Sequence, residues 1–300
     1  MGTVRRLAPA AGDVTLGQAA EAYLVTLGGA EQASTRRTYG RILRRVVAEF
    51  GAESAPDQVD AERVAEWFGS QWAGRAPSTW NVSLDAVRSA AAYWQRHGWL
   101  AADFSRLLVR RRPRPDRGRA LSRGEVDQLL TRNDIGLRER TLWRMLYETA
   151  ARSAEVLALD VGDLDLPNRR ARVRRKGGAI DIIVWQTGTA RLLKARKTGP
   201  VFVTERKARM QLPAADLDEH GHARLSYQQA EALFAQASGG ATLHQLRHFA
   251  LTHDAEHGTG TPMLMKRSGH TSVRSLAKYA QVSAEALMRH QAERDPARRR

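Results

Sequence analysis

The stretch TAARSAEVLAL, Thr149 to Leu159, governs how the rest of the chain is read. It sets Arg152 and Glu155 three residues apart, about one helical turn. Four segments downstream carry matching chemistry. They are RVRRKGGAIDIIV (Arg172 to Val184, with Lys176), LHQLRH (Leu243 to His248, with His244 and Arg247), SGH (Ser268 to His270) and KYA (Lys278 to Ala280, with Tyr279). Together they offer two guanidinium forks, a lysine on a hairpin tip, two imidazoles and a phenol. That set suits phosphoryl transfer without a metal. Two arginines can grip non-bridging oxygens bidentately and neutralise the charge of a pentacovalent transition state. A phenol, with an ordinary pKa of about 10, is a competent nucleophile once it is helped to lose its proton. Lysine or histidine can protonate a leaving alkoxide.

Composition sets the frame around these segments. The chain has 300 residues, 42% of them hydrophobic and 27% charged, which is globular and ample for two domains. No apolar run reaches the roughly 18 residues needed to cross a bilayer. The start, MGTVRRLAPAAGD, lacks the apolar core of a secretory signal, so the expected location is the cytoplasm, in association with the nucleoid. Cysteine is absent, which excludes disulfide scaffolds, thiol nucleophiles and cysteine-based zinc fingers.

The net charge of +16 points to a polyanionic partner. It is uneven along the chain: residues 1–109 are nearly balanced, whereas 110–119 hold six arginines against Asp116. A compositional bias toward arginine and alanine is the alternative explanation. It does not account for the six lysines, all of which lie beyond residue 175.

Four domain segments are expected. Residues 1–12 are a flexible start, and residues 13–109 a small helical unit. Residues 110–119 are a basic linker in which Pro113, Pro115 and Gly118 prevent a helix, and 120–300 form the second domain with a C-terminal tail. In the first unit, apolar spacing predicts helices over Thr15 to Leu27, from a Ser34 or Thr35 cap to Phe50, over Ala61 to Trp72, and over Thr79 to His97. The second helix sets Arg36, Arg37, Arg41, Arg44 and Arg45 mostly on one edge, as a phosphate-tracking helix needs; a merely solvated face fits equally well. Arg110, Arg111, Arg112 and Arg114 of the linker are further candidates for the DNA backbone. In the second domain, Ser122 and Glu125 form a capping-box pattern, and helices are expected over Gly136 to Thr149 and Arg152 to Leu159. Residues 171–175 and 179–185 alternate like two strands of a hairpin around Lys176-Gly177-Gly178. From Ser226 the pattern is helical through Tyr279, with a last helix from Ala284 to Gln291, so one small sheet is expected in a mostly helical domain.

These segments resemble the tyrosine recombinases, the phage-integrase family, in a compact Xer-like form. The family's first box, T-G-x-R-x-x-E-x-x-x-L, matches Thr149 to Leu159 in register. Its H-x-x-R-H box matches His244 to His248. Its Gly-His pair matches Gly269-His270, and its tyrosine follows nine residues later at Tyr279. The resemblance implies a mainly α fold: an N-terminal helical, SAM-like core-binding domain, then a mostly helical catalytic domain with a small antiparallel sheet. It implies a site-specific recombinase or integrase that needs no metal, cofactor or ATP. Tyr279 would attack a DNA phosphodiester to leave a 3′-phosphotyrosine, and Arg152 and Arg247 would clamp the phosphate. Lys176 would protonate the 5′-oxygen, His244 would assist the tyrosine proton, His270 would donate to a phosphate oxygen, and Glu155 would orient Arg152. Strand exchange would pass through a Holliday junction. The partners implied are double-stranded DNA, a homotetramer on two sites, and accessory DNA-bending or directionality proteins.

Two departures from the pattern stand out. Ala150 replaces the first box's glycine, a small exchange if the backbone there is helical. Arg267-Ser268 replace leucines before Gly269-His270, so that helix is expected to pack differently or expose a basic edge. Type IB topoisomerase or telomere-resolvase chemistry, or a non-catalytic DNA-binding protein on the same scaffold, are the alternatives. Two metal readings are weaker. His244/His248 and His253/His257 have i, i+4 spacing but no H-E-x-x-H glutamate, and Asp160, Asp163 and Asp165 lack a third spaced partner.

Overall fold

The computed structural model describes residues 14–29, 32–112, 121–175, 178–193, 198–277 and 284–295. The chain divides into two compact units, Met1–Arg117 and Gly118–Arg300. Among the described residues no helix is long and apolar enough to cross a membrane.

The first unit holds α1 (Leu16–Thr26), α2 (Ala33–Phe50), α3 (Ala61–Trp72) and α4 (Pro77–Arg96). A reciprocal cap starts α1: Gln18 N–H donates to Thr15 Oγ1, and Thr15 N–H donates to Gln18 Oε1. The expected stripe of Leu16, Ala19, Ala20, Tyr23 and Leu24 is buried. Helix α2 begins earlier than Ser34 or Thr35 would cap it. Gln32, whose N–H donates to Gly29 C=O, is itself already in α conformation, so no extended cap residue forms. Helix α4 starts on Pro77 itself, whose missing N–H costs nothing in a first turn. Trp67, Phe68, Trp72, Trp80 and Trp94 fill the core between these helices. Trp94 Nε1 donates to Ala19 C=O at 2.8 Å and ties α4 to α1. Trp99, Leu100, Phe104 and Leu108 fold back under the same core.

The second unit begins with α5 (Arg123–Thr131), capped by Ser122 and Glu125 as the spacing predicts. Next come α6 (Leu137–Thr149) and α7 (Ser153–Leu157). Strands β1 (Leu164–Asp165), β2 (Arg170–Arg174) and β3 (Ile180–Val184) form an antiparallel sheet in that order. Arg174 pairs with Ile180, and Arg175 N–H donates to Ala179 C=O at the base of the hairpin. Helix α8 (Thr187–Leu192) and a second sheet, β4 (Val203–Lys207) with β5 (His222–Arg224), were not legible in the sequence. Their residues are mostly exposed or half-exposed, so no apolar alternation marks them. Helices α9 (Tyr227–Ser238), α10 (Leu243–Glu256), α11 (Thr261–Ser268), α12 (Val273–Ala277) and α13 (Ala284–Arg294) follow. Helix α6 runs through the middle of this unit. Its Trp143, Met145 and Leu146 are buried in one cluster with Ala171, Val173 and Ile183 of the sheet and Leu246 and Phe249 of α10.

Candidate active site

The Thr149–Leu159 box is a helix end, a sharp turn and a new helix start. Ala150 closes α6 in the left-handed region, at φ 49° and ψ 23°. The premise that a helical backbone makes the loss of glycine cheap therefore fails, because a Cβ is disfavoured there by roughly 1–2 kcal/mol. The turn survives because its carbonyl groups are held. Arg247 Nη1 donates to Ala150 C=O at 2.6 Å, and Arg267 Nη2 donates to Tyr147 C=O and Glu148 C=O at 2.9 and 2.6 Å. Two cations thus sit on the C-terminal end of α6, where the helix dipole favours positive charge. Arg267 is accordingly not an exposed basic edge: it is turned inward, also pairs with Asp254, and burial lowers its pKa. Ser268 Oγ donates to Leu264 C=O and lies 2.7 Å from His270 Nδ1.

From that turn the chain enters α7 through Arg152, whose extended backbone starts the helix. Arg152 N–H donates to Glu155 Oε2 at 3.0 Å, and Arg152 Nη1 donates to Glu155 Oε1 at 2.8 Å. Arg247, on the buried face of α10, sends Nη2 to Ser268 C=O at 2.7 Å while Nη1 holds Ala150. One guanidinium therefore joins the loop that delivers Arg152 to the loop that delivers His270. Arg152, His270, Arg175, Asp181, Lys266, Gly269 and Ser275 line a single open cleft of about 580 Å³. His244 is exposed in the first turn of α10, three residues before Arg247. Lys176 and Tyr279 lie outside the described residues.

The structure adds Arg175, Asp181 and Lys266 to the expected set. Lys266 Nζ donates to Asp181 Oδ1 at 2.6 Å, and Arg175 contacts Asp181 Oδ2 and Glu155 Oε2. Burial raises the Asp181 pKa, but the hydrogen bond from Lys266, the Ile182 N–H and the Arg175 charge outweigh it, and the net shift is downward. Arg175 could have been found from the alternation of β2. Ala171 and Val173 point to the core, and position 175 continues that inward parity with a charge.

Gly269 is held at φ 64°, and a Cβ there would lie 2.7 Å from the Arg175 Cζ. Gly269→Ala is expected to lower stability by roughly 2 kcal/mol, seen as a lower Tm in thermal melts. An unchanged Tm would show that Arg175 moves aside freely.

The metal readings meet other uses of their side chains. His253 Nδ1 lies 2.8 Å from the Tyr147 hydroxyl, burial lowers its pKa, and Arg123 Nη1 lies 2.8 Å from His257 Nε2. Asp160 accepts from Arg224, Asp163 from the Asp160 N–H, and Asp165 from Arg170 and Asn168. Among the described residues no group of three or more histidine or acidic side chains is placed to hold a metal ion.

In the first unit Arg36, Arg37, Arg41, Arg44 and Arg45 are all exposed on α2. Arg41 and Arg45 border a groove of about 480 Å³ with Trp72, Arg75 and Thr79. The linker arginines divide. Arg110 pairs with Asp85, and Arg111 stacks 3.6 Å from the Trp80 ring centroid and donates to Ala73 C=O, so its guanidinium is turned to its own unit rather than outward. Arg112 is exposed, and Arg114 lies outside the described residues.

Residues 119–286 match the family model described as the phage integrase family. The chain belongs to the phage integrase family. It is 28% identical over 271 residues to a tyrosine recombinase XerC of Mycobacterium leprae, a match that covers 84% of this chain and 90% of that protein. It is 26% identical over 309 residues to a tyrosine recombinase XerD of Mycobacterium tuberculosis, covering 91% and 96%. A crystal structure of a lambda integrase dimer bound to a COC′ core site superposes with a TM-score of 0.70 at 14% identity, covering 90% of this chain and 97% of that one. At that identity the likeness concerns the fold: mainly helical, with small antiparallel sheets.

Proposed function

We propose that this integrase-family chain, a site-specific tyrosine recombinase, cuts and rejoins duplex DNA through a 3′-phosphotyrosine at Tyr279. The observation that supports it most is the cleft in which Arg152 and His270 meet, with Arg247 bonded to both of the turns that carry them. A phosphate there would take the guanidinium forks on its non-bridging oxygens, where negative charge grows in the transition state. The Tyr279 oxygen forms the new bond to phosphorus while the bond to the 5′-oxygen breaks. That oxygen leaves as a hydroxyl, with its proton supplied by Lys176. His244 assists removal of the phenolic proton, and Glu155 orients Arg152. The phosphotyrosine keeps the energy of the broken bond, so a 5′-hydroxyl of a partner strand can attack it and reseal without ATP.

The first unit is assigned to core-site DNA binding, with the α2 arginines on phosphates, and residues 110–119 to the basic connection between units. Affinity is expected to fall steeply with salt, as backbone neutralisation dictates. We assign the working assembly as a tetramer on two sites. The C-terminal helix supplies exposed apolar surface for a neighbour: Leu287 and Met288 are 55% and 62% exposed, whereas Ala286 packs within its own chain. Deleting residues 282–300 is expected to abolish cooperative synapsis in gel-shift assays while single-site binding persists. Normal synapsis by the truncated protein would remove the tail from the assembly.

The test uses nicked duplexes from the DNA beside its own gene, incubated with the wild type in EDTA and resolved on denaturing gels. A covalent adduct on the 3′ side of the cut supports the reading. Strand cleavage that appears only when Mg²⁺ is restored overturns it.

A further inference from the structure

Five charges of alternating sign run in a chain, Lys266, Asp181, Arg175, Glu155 and Arg152, and all but Glu155 line the cleft. The successive contacts measure 2.6, 3.2, 2.6 and 2.8 Å. Arg175 stands at the centre. Its side chain is 7% exposed, and among the described residues it alone bridges the two carboxylates. The guanidinium also packs against Gly269, the residue before His270, at a distance only a glycine allows. The buried centre of the network, Arg175 with Glu155, is weak evidence of stabilisation, since an apolar side chain at the inward position of β2 would fill the space without desolvating a charge. What the network does supply is geometry. Arg152 is 38% exposed and has long rotamer freedom, and Glu155 can fix it only if Glu155 is itself fixed. Arg175 and the Arg152 N–H both bond Glu155 Oε2, and Oε1 is left aimed at the Arg152 guanidinium.

We propose that Arg175 is a positioning residue for the phosphate clamp, holding Glu155, and through it Arg152, in register with Gly269-His270. The inference rests on the recombinase reading above. In this role Arg175 acts through Glu155 rather than on a reacting atom. Its loss lets the Arg152 fork drift from the phosphate, and a displacement of order 1 Å costs about 10²-fold in rate.

The experiment compares single-turnover adduct formation on nicked duplexes that carry either the natural phosphodiester or a methylphosphonate at the scissile position. The methylphosphonate lacks one charged oxygen, so it makes little demand on a guanidinium clamp. Arg175→Met keeps the length and drops the charge. It is expected to slow adduct formation about 10²-fold on the phosphodiester, with the deficit shrinking to within about 3-fold on the methylphosphonate. Arg175→Lys, which can reach one carboxylate but not both, is expected to recover part of the rate. DNA affinity and melting temperature, measured alongside, separate this from a general loss of fold, which slows both substrates equally. If Arg175→Met does not fold, Arg175→Lys carries the same comparison. An equal deficit on both substrates, or a wild-type rate on the phosphodiester, overturns the assignment of Arg175 alone. A wild type that forms no adduct on either substrate overturns the recombinase reading, and this inference with it.

Discussion

Tyr279→Phe is expected to bind duplex DNA with the affinity of the wild type and to form covalent adduct at least ~10⁵-fold more slowly, because no other group replaces a missing nucleophile. The substitution removes one oxygen and leaves ring, charge and bulk unchanged, so gel-shift affinity, set by phosphate neutralisation, has no reason to move. Four of the five other tyrosines are poor substitutes. Tyr23 is buried against α4, where its ring lies 5.7 Å from that of Tyr93. Tyr147 meets His253, and burial raises its pKa. Tyr39 and Tyr227 are likewise shifted upward, mainly by burial, which makes the phenolate harder to form. Residual adduct in Tyr279→Phe would place the nucleophile elsewhere in the chain. The check is quantitative labelling of the duplex strand, followed by peptide mapping of the wild-type adduct.

Arg247→Ala is expected to fail twice over. Losing the arm of the phosphate clamp proposed for it is expected to cost about 10³-fold in cleavage. It also leaves the carbonyls of Ala150 and Ser268 without their guanidinium in a buried setting, for a loss of roughly 2–4 kcal/mol in stability. The stability loss matters for mechanism, because Ala150 already sits in a left-handed conformation that costs a Cβ-bearing residue free energy. Without Arg247 that turn has less reason to persist, and Arg152, two residues on, loses its fixed point of departure. Arg247→Lys keeps the charge but not the fork. It is expected to satisfy at most one of the two carbonyls and to fall between the wild type and the alanine variant in both thermal melts and single-turnover cleavage. A melting temperature unchanged in Arg247→Ala would show that the carbonyl contacts are incidental to the turn.

The two effects differ in where they were visible. The residues proposed for the chemistry stand out by type and spacing: Arg152 with Glu155, His244 with Arg247, and His270 ahead of Tyr279; of these the structure brings Arg152 and His270 to one cleft. Helix α1, α3 and α4 and the β2–β3 hairpin could also be read along the chain, because helix period, strand alternation and turn residues are local properties. Even so, the start of α2 was misplaced. A hydroxyl residue signals a cap only where its own backbone is extended, and here Gln32, ahead of Ser34 and Thr35, is already helical.

What the sequence determined by itself was the family, the order of the boxes and the kind of reaction they serve. Each depends on which groups are present and how far apart they lie along the chain. Only the tertiary structure decided what those groups lean on. Arg267, expected to form an exposed edge or to pack differently, reaches back 119 residues to the end of α6. Arg111, one of several linker arginines, stacks on Trp80. Arg175, one arginine among many, joins Glu155, Asp181 and Gly269. Contacts of this kind join residues distant along the chain, and a guanidinium looks the same in a sequence whether it faces water, DNA or a carbonyl. Its partner is chosen only when packing brings the distant backbone alongside and excludes the solvent that would otherwise satisfy it.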